Sequence, residues 1–343
     1  MIYSLIVFIF SFIFLYSINI FQIKQNFLID VASKNEKHKF LLNQRNKKVP
    51  LSGFLYFLPV IFLLNIENYI SVSIACAFLF FVGFLSDSKL VNSPKIRLFA
   101  QLSILILFLF YNNDLNIDFR IEYLNLILKS EVSRVLIISF FFLVLINGFN
   151  FIDGVNNLCV LNFLIILIFI KLLSNKLNIQ VQIYQIDILI ILLTVFTIFN
   201  FFGKNYLGDA AVYGLSFFVG FVAINYSLQD QSISPYFIAN LLWYPAFENL
   251  FCIIRRYFEK KKNYLPDNNH LHQLLFKYLL SLKLIKKKYV LSSMSGILIN
   301  LYLSIIFLVG LHNHSETKLQ VFLITINIFV YLFFYFILKK IND

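Results

Sequence analysis

The chain has 343 residues, of which 60% are hydrophobic and only 13% charged, about half the charged share of ordinary soluble domains. That balance excludes a soluble globular enzyme, and apolar runs of near-bilayer length recur throughout, so the expected fold is an all-α, polytopic membrane bundle. The net charge of +12 would suit a nucleic-acid binder, but the basic residues gather in alternate loops, which marks membrane orientation, and no nucleic acid is expected.

Met1–Phe21 is apolar from its second residue and lacks both a basic leader and an A-x-A cleavage site. It reads as a membrane helix rather than a removable signal. Further spans are predicted at 50–65, 68–86, 97–111, 134–149, 158–174, 183–202, 207–227, 233–251, 289–312 and 318–338, about eleven in all. Pro59, Pro235 and Pro245 fall within them and predict bent or partial helices. No internal repeat or soluble domain interrupts the pattern, so residues 1–343 read as one membrane domain. Cys76, Cys159 and Cys252 are scattered in or beside apolar runs, with no metal spacing and no disulfide framework.

Alternate loops at 23–49, 86–97, 203–206 and 252–288, with the C-terminal tail, hold 23 of the 29 basic residues. The positive-inside rule puts these loops in the cytoplasm, the N-terminus outside and the C-terminus inside. The opposite set holds only Arg120, Lys129, Lys176 and Lys318, with Arg134 and Lys171 at helix ends.

The loops on the basic side also carry the chemistry. After the fifth span, INGFNFIDGVNNL places Asn147, Asn150, Asp153 and Asn156 three residues apart, on roughly one face if the helix continues. A carboxylate among carboxamides at a membrane helix end is costly unless it holds a cation or polar ligand; the same residues would also serve as a helix cap. After the third span comes Asp87 with Lys89, Lys95 and Arg97. After the seventh comes a Gly-bracketed turn with Lys204 and Asp209. After the ninth come WYPAFENLFCIIRR and a basic segment ending LPDNNHLHQLL. Carboxylates able to hold Mg²⁺ and cations able to hold phosphate are thus expected on one surface.

Together these segments resemble the polyprenyl-phosphate N-acetylhexosamine-1-phosphate transferases, relatives of the phospho-MurNAc-pentapeptide translocase. VPLSGF (49–54), NGFNFIDGVNNL, GKNYLGDAAVYG, WYPAFENL and PDNNHLHQLL are similar to that family's motifs, in its order. The resemblance implies transfer of a sugar-1-phosphate from a UDP-sugar to a polyprenyl phosphate, at the cytoplasmic face of the cell inner membrane. UMP would leave, and synthesis of a surface polysaccharide or cell-wall glycan would begin. It implies Mg²⁺ as cofactor with Asp209 and Asp153 as ligands, and Asp87, Asp153 and Asp209 as catalytic residues. Asn150, Asn156, Lys204, Arg255, His270 and His272 would bind substrate; homodimerisation is left open.

Several residues carry two readings. His270 and His272 would point apart on a regular helix but could share one pyrophosphate from a capped loop. Arg255 and Arg256 could hold phosphate or snorkel as an anchor pair. Glu248 could support catalysis or pair with one of those arginines. Trp243 and Tyr244 suit an aromatic belt or the lining of a lipid-chain groove, and Asp187 an interfacial position. The family's loop after the third span typically carries adjacent aspartates, where this chain has Ser86-Asp87. That departure keeps an inactive member in view, and a flippase or transporter for an anionic lipid or nucleotide is the alternative from another class.

Overall fold

The computed structural model describes residues 2–31, 48–63, 70–112, 115, 117–179, 183–260 and 269–342. The elements are α1 (Ile2–Gln25), β1 (Ile29–Val31), β2 (Lys48–Pro50), α2 (Gly53–Leu63), α3 (Ile70–Asp87), α4 (Pro94–Tyr111) and α5 (Glu122–Leu128). They continue with α6 (Glu131–Ile152), α7 (Leu158–Leu177), α8 (Ile183–Phe201), α9 (Gly208–Gln229), α10 (Pro235–Phe258), α11 (Leu271–Ser281), α12 (Lys288–His312) and α13 (Thr317–Asn342). Among the described residues the departures from an all-α chain are a short ribbon, in which β1 pairs antiparallel with β2 and Ile29 lies opposite Pro50, and a parallel bridge between Leu51 and Tyr206.

Among the described residues, nine helices are long and apolar enough to cross a membrane: α1, α3, α4, α6, α7, α9, α10, α12 and α13. The other two expected spans, 50–65 and 183–202, correspond to α2 and α8. The 11 residues of α2 rise only about 16 Å, roughly half a bilayer core. The apolar helix Ile186–Phe201 is likewise shorter than the nine. Residues 64 and 65 of the first of these spans lie outside the described residues.

Local sequence explains the helix ends. Pro94 and Pro235 open α4 and α10 at their first turn, where the missing N–H costs nothing and the fixed φ suits a helix. Asn157 and Asn178 flank α7 in the left-handed region, with φ of 62° and 53°, a conformation asparagine tolerates better than most residues.

The core is organised around α9, buried along nearly its whole length. It packs most extensively on α3, then on α6, α2, α7 and α10. At the α3–α9 crossing a Cβ on Gly83 would lie 2.4 Å from the Cα of Ala210, so only glycine lets these backbones meet. Elsewhere, polar pairs join the helices. Asn240 of α10 donates to Gln320, and Asn327 donates back to Asn240 and accepts from Tyr302. Such bonds hold helices together where lipid offers no competing partner. Asp187, expected at an interface, pairs with Lys171 between α7 and α8. Trp243 and Tyr244 are buried rather than lipid-facing, which corrects the aromatic-belt reading: they pack inward on α10, with Tyr244 beside Tyr331 of α13.

Gly83→Val should force α3 from α9. We expect a loss of about 1–3 kcal/mol or more from overpacking, read as a lower thermal unfolding midpoint in detergent. An unchanged midpoint would contradict the crossing described.

Candidate active site

The turn before α9 is built by its two glycines. Gly203 and Gly208 have φ of 59° and 78°, which strain any residue with a Cβ. The loop between them is pinned from two sides. The Tyr206 N–H donates to the Pro50 carbonyl at 3.0 Å, and Asn200 Nδ2 donates to the Asn205 carbonyl at 2.7 Å. No side chain from its own N-terminus caps α9; the cap comes from α3. Asp87 Oδ1 accepts from the Asp209 N–H at 2.9 Å, and Oδ2 accepts from the Ala210 N–H at 3.0 Å. A carboxylate there meets both free N–H groups and the positive end of the helix dipole. A Cβ on Gly208 would lie 2.6 Å from Asp87 Oδ2, so this glycine supplies clearance as well as φ.

With its backbone held by Asp87, Asp209 turns its side chain toward α4. Its Oδ2 accepts from Ser86 Oγ at 2.6 Å, Arg97 Nη1 at 2.6 Å and Tyr213 OH at 3.2 Å. Arg97 Nη1 also lies 2.6 Å from Ser86 Oγ. The side chains of Arg97 and Asp209 are 21% and 24% exposed, so the pair sits at a partly open rim. Sequence reasoning misses Tyr213 and, although it places Arg97 among the cations able to hold phosphate, misses the pairing of Arg97 with Asp209. Tyr213 is one helical turn beyond Asp209, a spacing that could have signalled it. Arg97 carries no such signal, because its pairing spans 112 positions.

The asparagine stripe is not one helical face. α6 ends at Ile152 with Asp153 as its C-cap, and Asn156 sits in the following turn. The turn's amides are drawn elsewhere: Asn156 N–H to Ser292 Oγ at 2.9 Å, and Asn157 N–H to Asn200 Oδ1 at 2.6 Å. Asn147 donates to Gln101 across to α4 at 3.0 Å. Asn150 and Asp153 are partly exposed and Asn156 is buried. Asn200 therefore ties the 153–157 turn to the loop that starts α9.

The two histidines come to the same end. Pro266 and Asp267 of their motif lie outside the described residues. His270 is the extended N-cap of α11 and His272 is in its first turn, so their rings stack at 5.5 Å and 16°. They lie on the 151–154 turn: His270 is 5.3 Å from the Phe151 ring, and a Cβ on Gly154 would be 2.6 Å from His272 Nε2. Burial pushes the His272 imidazole down to about 3, Glu248 opposing and His270 adding to the shift. It is neutral at physiological pH, and neither ring nitrogen has a hydrogen-bond partner among the described residues.

The expected partnership of Glu248 with an arginine is corrected. Its Oε1 is 2.8 Å from His270 Nδ1, and its Oε2 accepts from Tyr331 OH at 2.8 Å. Fully buried, it takes the nearest donors, and the arginines point elsewhere. Arg255 is buried, not snorkelling, and donates to the Asn269 carbonyl and, at 3.1 Å, to Tyr335 OH. Arg256, also buried, lies over the Phe151 ring. Lys204 is exposed above Phe202 and joins neither cluster.

The described residues contain no group of three or more His, Cys, Asp or Glu side chains placed to hold a metal. A hard divalent cation that needs only one or two carboxylates beside phosphate oxygens and water fits the partly open Asp209, although Oδ2 is already engaged. The arrangement offers a guanidinium, a partly exposed carboxylate and a histidine pair at one end of the bundle. That set suits anionic phosphate groups.

Asp87→Asn should leave a carboxamide N–H₂ facing one α9 amide. We expect a cost of about 1–3 kcal/mol, with faster hydrogen exchange confined first to the 209–210 amides. Unaltered exchange there would contradict the capping role.

Residues 69–227 match the profile of glycosyl transferase family 4, a span that includes Ser86, Asp87, Arg97, Asp153 and Asp209 and ends before the histidines. No curated protein matches the chain. The match covers a little under half of the chain, and over that span the chain is similar to glycosyl transferase family 4.

Proposed function

We propose that this protein transfers a sugar-1-phosphate, an N-acetylhexosamine-1-phosphate by the resemblance, from a UDP-sugar to a polyprenyl phosphate such as undecaprenyl phosphate. The observation that carries this reading is the gathering of the Asp87–Asp209 junction, the 153–157 turn and the His270–His272 pair at one end of the bundle. That end is read as cytoplasmic in the inner membrane from the distribution of basic residues.

The acceptor's phosphate oxygen attacks the β-phosphorus of the UDP-sugar. A new P–O bond forms, the bond to the UMP oxygen breaks, and the sugar remains on a lipid diphosphate. Phosphate esters with a second pKa near 6 are largely ionised at neutral pH, so positioning and charge neutralisation count for more than a base. Asp87, with both oxygens on α9 amides, acts as a positioning residue that aims Asp209. Asp209, with Asp153 from the 153–157 turn, would hold Mg²⁺, which when bound would supply charge neutralisation for the donor diphosphate. Asn150 and the two histidines face the donor's polar groups. Glu248 and Tyr331 hold the His270 ring in place.

The test is UMP release by purified protein given several UDP-N-acetylhexosamines and undecaprenyl phosphate. Native protein should be active, and Asp209→Asn should lower turnover about a hundredfold or more. Asp153→Asn should also be severe, and Asp187→Asn near native. No UMP release by native protein with any donor would sink the reading. For orientation, single cysteines at Lys95 and Lys204 should resist an impermeant thiol reagent in whole cells and react in broken ones. Labelling in intact cells would put this end on the wrong side for cytoplasmic UDP-sugars.

A further inference from the structure

We propose that Arg97 holds the place of a divalent cation on Asp209, and that Ser86 sets how readily the two exchange. The inference rests on the reading of Asp209 as the cation ligand, and goes beyond it by naming the residues of this chain that govern access.

Three donors converge on one oxygen, Asp209 Oδ2: Arg97 Nη1, Ser86 Oγ and Tyr213 OH. A carboxylate oxygen has about two lone-pair sites, so this oxygen is saturated, and a cation that takes both oxygens of Asp209, rather than Oδ1 alone, displaces a donor from it. Arg97 is the donor that must go, because its positive charge repels the incoming cation while the two hydroxyls do not.

Arg97 is also the donor built to leave. A bidentate guanidinium would grip both carboxylate oxygens in a fixed fork. Here, among the described residues, Nη1 makes all the side chain's hydrogen bonds, and Nε is buried with no partner. A single-nitrogen contact at a partly exposed rim contributes little to folding, and its loss leaves the helices joined through the Asp87 cap.

Ser86 touches both contestants. Its hydroxyl donates to Asp209 and accepts from Arg97. A neutral hydroxyl adds no second anion beside Asp209 at this contact, which favours the ion pair. An aspartate at position 86 would offer Arg97 a second anion at the same distance and leave Asp209 open to a cation.

The experiment uses full-length protein in detergent and measures Mn²⁺ binding by the electron paramagnetic resonance of the free ion. Asp209→Asn should abolish the site. Arg97→Gln and Ser86→Asp should each tighten Mn²⁺ binding by about tenfold, and Arg97→Lys, which keeps the charge on a compact head, by less. Lys95→Gln removes an exposed positive charge two residues away and should change affinity by about twofold at most. Thermal unfolding midpoints near native would show each variant folded. Should Arg97→Gln bind no tighter than Lys95→Gln, or Ser86→Asp match native, the proposal is overturned. A native site lost in Asp209→Asn but indifferent to Arg97 and Ser86 would leave the cation reading standing and remove only the exchange. A site absent from native, Arg97→Gln and Ser86→Asp alike would remove both.

Discussion

The structure depends on one carboxylate spanning two helices. α9 is the central helix and begins near the end of a membrane bundle, where its first N–H groups have little water to turn to. Its own sequence, YLGDAAV, provides no cap. Asp87 answers both Asp209 and Ala210 N–H groups from the end of α3. A negative charge at the C-terminus of α3 opposes that helix's dipole, and the gain at the N-terminus of α9 offsets it. Once this contact forms, Gly83 against Ala210 and Gly208 against Asp87 are forced to be small. The direction of the Asp209 side chain then follows. The residue with the most chemical potential is aimed by a contact that is itself structural.

The same economy governs the deeper polar groups. Glu248 is completely buried, yet both its oxygens are matched, by His270 and Tyr331. Asn240, Gln320 and Asn327 satisfy one another farther along α10 and α13. An unmatched charge in hydrocarbon costs far more than an unmatched amide, which explains why the acid is fully paired. The neutral groups are less strictly satisfied: both nitrogens of His272 and the amide of Asn205 have no partner among the described residues.

Much of the fold was legible because hydrophobic run length is a local property. Nine of the expected spans coincide with long apolar helices, and the Asp87–Asp209 junction, the 153–157 turn and His272 meet at one end of the bundle. The failures share a cause, which is that a one-dimensional pattern cannot say what a side chain meets. Asn147, Asn150, Asp153 and Asn156 have helical spacing, but Ser292 and Asn200 compete for the amides of Asn156 and Asn157 and end the helix first. Glu248 lies seven residues from Arg255 in sequence, while His270, its partner, is 22 away. Conversely, the histidines face one way because His270 is a cap and not a helical residue, which the alternation of a capped loop allowed.

Ser86 is best understood through the charges around it. If Asp87 is committed to the amides of α9, Asp209 is the anion left facing α4, and Arg97 balances it. A second carboxylate at position 86 would upset that balance and repel two incoming phosphates, unless another cation were recruited. Serine keeps the hydrogen bonds at 2.6 Å to both neighbours while adding no charge. For a transfer whose nucleophile is already ionised, the loss of a carboxylate at this position removes repulsion without removing a required proton acceptor. On the proposed reading the substitution is compatible with a working site, and the contact between Arg97 and Asp209 would take over the control of charge.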